Sequence, residues 1–506
     1  MLNSNLIKGI RSVIAAILHQ FSLFPLFMMS NIIPFMVSYL YQIEKESSLN
    51  HTSSLTQDDG YFIHPIMSLS MSICCFFGGM VEHYLGPKLV ILLGGFCITL
   101  GDFLFIVSKN IIFDFFINIF FGIGFAVAMT AAVKNATKYF PKKRGLINAL
   151  AGGLGGNLGN SFFNLVIKLF VSKGDYPRDD DNNMYTKSTA ENYKIFFYIY
   201  GGLVLGIAII SSLLLVTFKD SDNIKKEDNN DLDNNEKNLI EENNENGEKE
   251  DKEVQEKEIN KEIKEIENND EKIKNQNYKN GLKQIFGHYQ IYIILLIFLF
   301  SCFLQGFIFT VGFNYGTMSH NSEGNSKISP DEVSMIFTLN SLISSLMGPF
   351  IGFIYDNLCF KYTMIILDII SAINGIFIST TVKWGVYFYA ISIIVNGCLN
   401  SGSFSMIFPH VSKIYGFNYA GELYGFVVLS SGISTIISSG IYYSITHLSD
   451  KKNDEAYFYV FIIGAAFNVI AAILCLLDNE KKFEFYKKDD IDEPEINDKL
   501  YKSEAY

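Results

Sequence analysis

The sequence predicts an all-α polytopic membrane protein whose twelve transmembrane helices form two six-helix, pseudo-symmetric bundles. Three observations predict it. Hydrophobic residues make up 49% of the 506, they collect in twelve uninterrupted apolar blocks, and several features of the first half recur in the second at a nearly fixed offset. At about 20 residues per crossing, each block is long enough to span a bilayer as a helix. Hydrocarbon supplies no partner for an unpaired backbone N–H or C=O, so spans this apolar should be α-helical throughout.

In the first half the blocks run 11–41, 62–85, 88–108, 111–136, 145–172 and 194–218. The first follows "MLNSNLIKGIR" with no cleavable-signal or transit-peptide pattern, so the first span itself is expected to direct insertion. The second half supplies 289–316, 332–355, 362–382, 384–411, 420–447 and 456–477. Between the halves, residues 219 to 280 hold most of the formal charge of −12 in a tract of Asn, Glu, Asp and Lys. Such a tract buries too little apolar surface to offset its ordering entropy, so a disordered loop is expected, with "VQEKEINKEIKEIE" as a transient helix inside it. The chain then divides into an N-terminal bundle (1–218), an acidic loop (219–285), a C-terminal bundle (286–478) and a tail (479–506).

Short loops set the orientation, because Lys and Arg accumulate on the cytoplasmic side. Lys8, Arg11, Lys88, Lys138, Lys142, Lys143, Arg144, Lys361, Lys413, Lys481 and Lys482 share one side if the N-terminus is inside. The other side has Lys109, Lys173, Arg178 and Lys383, with an acidic excess in 44–59 and 175–181. Both termini, the loop and the tail are thus expected in the cytosol, of either a plasma or an organellar membrane. The seven cysteines lie in or beside apolar blocks without a CxxC pair, and read as small hydrophobes rather than a disulfide or metal framework. "NHT" at 50–52 matches a glycosylation acceptor, a triplet common by chance.

The repeat is visible in single residues. Gly78 and Glu82 recur as Gly352 and Asp356 at an offset of 274, Gly122 and Lys138 as Gly397 and Lys413 at 275, and Gly145 as Gly421 at 276. "KYFPKKRGLINALAGGLGGNLGN" (138–160) sets a basic knot against a glycine run, yet lacks the strand, the GxxxxGK[ST] or GxGxxG spacing and the βαβ context of a phosphate loop. It reads instead as a topology anchor followed by packing rows inside the fifth span. Gly152 and Gly156 lead to Asn160 in one row, and Gly155 and Gly159 form a second beside it, so a neighbouring backbone can approach closely.

"YFPKKRGLINALAGG" resembles the loop and fifth helix of the monocarboxylate transporters and the related oxalate/formate antiporters of the major facilitator superfamily. "GGMVEHYLGPKLVILLGG" (78–95) is similar to that superfamily's GxxxDRxGxR loop, and "NIIPFMVSYL" (31–40) supports the likeness. The resemblance implies two six-helix repeats rocking about a midplane site. It also implies a monocarboxylate such as pyruvate or lactate, with proton coupling. The Asp and Arg that hold a carboxylate in the eighth helix of monocarboxylate carriers would fall at Ser344 and Gly348, before Pro349. The antiporters' Lys in the eleventh helix would fall near Ser430 and Ser431, and a tryptophan-containing acidic motif before the first helix is missing.

Polar groups in hydrocarbon are costly and are functional candidates by default. His19 suits proton coupling, or a structural hydrogen bond. Lys134 would attract an anion, or snorkel to the interface, and His410, its repeat mate, would complete a basic pair. Asn31, Gln305, Asn314, Asn340, Asn396 and Asn400 suit a small polar solute, or helix packing. Asp102 and Asp368 are expected in helix–helix hydrogen bonds. Glu82, Lys88, Arg144, Asp356 and Lys361 form the expected cytosolic gate.

No ATP-binding, HExxH or other catalytic motif points to a pump or an enzyme, and no cofactor, metal or nucleic acid is implied. The expected function is secondary-active transport of a small organic solute by alternating access, a monocarboxylate with protons first. A neutral or zwitterionic solute such as an amino acid, or a non-transporting sensor or scaffold acting through the acidic loop, stands as the alternative. Nothing in the sequence signals an accessory subunit.

Overall fold

A computed structural model describes residues 4–47, 53, 55–171, 178–179, 184–218, 276, 278–317, 328–448 and 453–483. The acidic tract from 219 to 275, the "NHT" triplet and the tail beyond 483 lie outside these. The chain forms two units, Met1–Glu245 with Tyr289–Glu480 and Asn246–His288 with Lys481–Tyr506. In the second unit, residues 278–286 are helical, all but Phe286 inside the range expected for the loop, and the His288 ring lies 4.8 Å from that of Phe483.

The first unit is an up-and-down array of helices. Its first half comprises α1 (Ser4–Leu23), a 3₁₀ stretch Phe24–Asn31, α2 (Ile33–Ser47), α3 (Ile63–Leu85), α4 (Pro87–Val107) and α5 (Ile111–Lys138). There follow α6 (Arg144–Asn148), α7 (Asn157–Val166), α8 (Lys187–Ala190) and α9 (Tyr193–Leu214). The second half comprises α10 (Tyr289–Thr317), α11 (Pro330–Asn357), α12 (Phe360–Trp384), α13 (Val386–Tyr415), α14 (Ala420–Leu448) and α15 (Asn453–Leu474). Strands β1 (Arg178–Asp179) and β2 (Met184–Tyr185) pair antiparallel over the distal end, the end opposite Ser4 and Leu474. Tyr185 fixes them there, its ring stacked 4.4 Å from Phe35 and its N–H donated to Ser38 Oγ.

Local chemistry sets the boundaries. Gly86 takes φ 76°, which lets α3 turn into α4 in one residue, and Pro87 fits the first helical position because its missing N–H would be unsatisfied there anyway. Asn110 caps α5 through Ile112 N–H, and Ser329 with Glu332 makes a capping box on α11. α1 starts seven residues before the expected block, because Lys8 and Arg11 continue the helix past the apolar stretch. Pro25 lies in the 3₁₀ break that ends it.

Eleven helices among the described residues are long and apolar enough to cross a membrane. The one expected block not among them, the fifth, is helical from Arg144 to Val171 but leaves α geometry twice, at Ala149–Gly156 and Ile167–Val171, where it is π-helical. The first π stretch holds four glycines and two alanines, whose small side chains offer little resistance to the wider turn.

Within the first half α3 and α4 pack on α5, and α4 and α1 on α9; within the second, α11 packs on α13, α10 on α14 and α15, and α12 on α15. Two seams join the halves: α3 against α14, and α11 against the 149–166 segment. Large apolar side chains such as Phe96, Phe116, Leu213, Leu346, Ile373 and Ile473 point outward, each more than half exposed. That coat is stable only in hydrocarbon.

Candidate functional site

Between the halves lies a central cavity of about 90 Å³. From the first half it is lined by Gln20, Phe24, His64, Ser68, Met71, Met129, Thr130, Asn148, Gly152, Asn157 and Asn160. Gln305, Phe309, Asn400, Ser401, Phe404, Ser405, Phe408, Tyr424, Ser431 and Thr435 line it from the second. No Lys, Arg, Asp or Glu is among the lining residues. Amides, hydroxyls, one imidazole and aromatic rings make an uncharged, hydrogen-bonding chamber.

The amides are oriented by their surroundings. Gln20 donates Nε2–H to Met129 O, Asn148 donates Nδ2–H to Ser405 O at 2.7 Å, and Asn157 donates to Gly153 O at 2.8 Å. A backbone carbonyl accepts only from the amide nitrogen, so these bonds fix which way each amide points, and Asn157 also donates to Ser401 Oγ at 3.1 Å across the two halves. Five lining atoms are buried without a hydrogen-bond partner: Gln20 Oε1, His64 Nε2, Thr130 Oγ1, Asn160 Oδ1 and Gln305 Oε1. Buried polar groups are normally paired, and a cluster of unpaired ones around a cavity marks where a ligand supplies the missing bonds.

Both ends of the cavity are bridged. At the distal end His64 Nδ1 lies 3.2 Å from Thr310 Oγ1, Ser161 Oγ donates to Thr338 O, and the Phe62 and Tyr443 rings meet edge-on at 5.5 Å. At the terminal end the Asp356 carboxylate accepts from the backbone N–H groups of Gly145 (3.1 Å) and Leu146 (3.0 Å). Those amides begin α6, where the helix dipole favours a negative charge. The Arg144 guanidinium stacks 3.9 Å over the Phe417 ring. Nearby, Lys134 Nζ lies 3.4 Å from Glu82 Oε2.

The sequence description Major Facilitator Superfamily matches residues 21–324 and 309–493. The chain belongs to the major facilitator superfamily. No curated protein matches it in sequence. Among solved structures, the chain is similar to the xylose transporter XylE from E. coli in a partially occluded inward-open conformation, with 11% identity, a TM-score of 0.57, and 93% of this chain and 98% of that one covered. The FucP transporter in its outward conformation gives 14%, 0.57, 92% and 99%, and the nucleoside transporter NupG 12%, 0.55, 92% and 99%. As a superfamily member the chain is an integral, multi-pass membrane protein and a secondary transporter of small solutes, not an enzyme.

In this superfamily member the cavity gathers Gln305 and Asn400 from the site residues expected from the sequence, together with Gly152 and Asn160 from the expected packing row. His19 is fully buried on α1 against the Ala128 backbone, outside the cavity lining. Lys134 and His410 do not face one another as a basic pair: Lys134 meets Glu82, and His410 Nε2 lies 3.3 Å from Asp478 Oδ2 with its ring stacked on Phe360. Asn31 donates to Asn164 Oδ1, Asn340 accepts from Ser344 Oγ, and Asn314 and Asn396 do not line the cavity. Asp368 accepts from Ser301 Oγ at 2.7 Å, a bond between α12 and α10, while Asp102 stands beside Gly201 of α9.

Of the gate candidates, Glu82, Arg144 and Asp356 sit at the terminal seam. Lys88 is exposed, and Lys361 donates its backbone N–H to Glu480, which also pairs with Lys413. The glycine rows serve different neighbours. Gly155 lies against the Ile17 carbonyl, Gly159 against that of Phe21, Gly156 against the Phe24 ring, and Gly152 against open space. Gly348, where the resemblance would have an arginine, is pressed backbone to backbone on Gly153.

His64, Gln20, Asn148 and Asn157 were not picked out from the sequence. Each is a lone polar residue in an apolar block, a usable signal, but only the pairing of the two halves shows which face meets the cavity.

Proposed function

We propose that this protein carries a small, uncharged, hydroxyl- or N–H-bearing solute across the membrane by alternating access around the central cavity. One observation carries the reading: the cavity lining holds no Lys, Arg, Asp or Glu, and of its five unpaired buried atoms four are acceptors and the fifth is the Thr130 hydroxyl. A carboxylate offers acceptors only, so a monocarboxylate would meet acceptors with no cation to offset its desolvation. A zwitterion would leave two charges unpaired. The xylose and nucleoside transporters among the structural relatives are named for solutes of the favoured kind, which adds support. Proton coupling and a cytosolic placement of both termini and of the acidic loop belong to the same proposal, the placement resting on the positive-inside bias.

The test is uptake into proteoliposomes of labelled hexoses, pentoses and nucleosides beside lactate, pyruvate and alanine, with and without an inward proton gradient. Saturable uptake of a neutral solute is expected. Saturable uptake of lactate or pyruvate, with none of the neutral solutes taken up, overturns the reading.

A further inference from the structure

We infer that His64 is at once the latch of the distal seam and a reader of the solute, with the Thr310 bond setting both roles. Thr310 Oγ1 lies 2.9 Å from Gly306 O, within its own helix, and donates its single proton there. The oxygen is then an acceptor toward His64, so His64 carries its proton on Nδ1 and donates it across the seam at 3.2 Å. Nε2 is consequently a bare acceptor. It is buried and unpaired, on a side chain only 2% exposed that lines the cavity.

One ring thus links the two halves through one nitrogen and addresses the solute through the other. When the halves part at the distal end, the Nδ1 bond breaks, the tautomer is no longer fixed, and the acceptor offered to the solute is lost. A donor on the solute favours the tautomer that closes the seam, so occupancy and closure reinforce each other. This applies to a hydroxyl or N–H donor and not to a carboxylate. The recognition half rests on the reading proposed above; the latch half does not.

The two nitrogens can be separated by substitution. The Asn amide nitrogen stands near the place of Nδ1, and the Gln terminal amide near that of Nε2. Spin labels at Lys109→Cys and Lys383→Cys, both exposed at distal turns of opposite halves, report the seam in a cysteine-free background. KM for whichever neutral solute the wild type carries reports recognition. His64→Gln and Thr310→Val are expected to add a longer-distance population, with the KM of His64→Gln within about threefold of wild type. His64→Asn is expected to keep the wild-type distance and raise KM about tenfold, the value of one lost hydrogen bond.

Identical distances in all three variants overturn the latch. Equal KM values for His64→Asn and His64→Gln overturn the reader. If His64→Gln fails to fold, Thr310→Val decides the latch alone. If the wild type carries no neutral solute, the recognition half falls with the reading it rests on, and the distances still decide the latch.

Discussion

Lys134 and Glu82 form a buried ion pair on neighbouring helices of one half, 3.4 Å apart, and Glu422 of the other half closes over it. Both paired side chains are 9% exposed. A Cβ on Gly79 would come within 2.9 Å of Glu422 Oε1, which places that second carboxylate against the same turn of α3. A second buried carboxylate, whose oxygens have no hydrogen-bond partner among the described residues, therefore lies at the terminal seam beside the Lys134–Glu82 pair. In the other half, the repeat positions Asp356 and His410 have found different partners, so the pseudo-symmetry of the sequence does not extend to the ion pairs.

Removing the ammonium should cost more than removing the pair. Lys134→Met leaves two buried carboxylates facing each other and is expected to lower stability by about 3 to 5 kcal/mol. Lys134→Met combined with Glu82→Gln should recover most of that. Thermal unfolding of the purified variants checks it, and a double variant no more stable than the single would contradict the pairing of Lys134 with Glu82.

Asp356→Asn weakens two bonds between a carboxylate and backbone amides that tie α11 to α6. Charged hydrogen bonds contribute about 1.5 to 3 kcal/mol each, so the terminal seam should open more often. The expected result is faster maleimide labelling of Ser405→Cys, on the cavity wall, in the Asp356→Asn background.

The glycines of the fifth span should differ sharply in tolerance. A Cβ on Gly155 would stand 2.6 Å from the Ile17 carbonyl oxygen, and backbone cannot step aside. Gly155→Ala is expected to destabilise by about 1 to 3 kcal/mol. At Gly152 nothing lies within 4 Å, so Gly152→Ala should leave folding intact or improve it by up to about 1 kcal/mol. Thermal unfolding separates the two.

Gly348 and Gly153 bring the halves together at a crossing where a Cβ on Gly348 would stand 2.8 Å from the facing Cα. Gly348→Arg, which installs the residue the monocarboxylate resemblance implies, is expected to disrupt this seam rather than create a carboxylate site. Loss of the monodisperse folded protein, with no gain of lactate uptake, is the expected outcome.

The membrane fold was legible because apolar blocks of the right length admit few alternatives, and the superfamily because basic and glycine-rich motifs sit at loop positions that packing does not disguise. The fifth span departs from α geometry for a reason also written in the sequence, its glycine run, although composition does not say which way such a helix will relax. The site was less legible. His19 was read as the candidate and Gln20 is the residue that lines the cavity; one residue is a 100° turn of the helix, and hydrophobic all-round helices give no phase. His64 gains its meaning from Thr310, 246 positions away. Lys134 and His410 looked unpartnered only because Glu82, on α3, and Asp478, beyond the end of α15, lie far from them in the sequence.

On the proposed function, a neutral solute occupies this cavity and is held by its amides and imidazole. Solute protection of Asn400→Cys from maleimide, in a cysteine-free background, tests it most directly. A transported hexose, pentose or nucleoside should slow labelling in a saturable way, with half-protection near its transport KM, while lactate at the same concentration leaves the rate unchanged. Protection by lactate, and none by any neutral solute, would contradict the account.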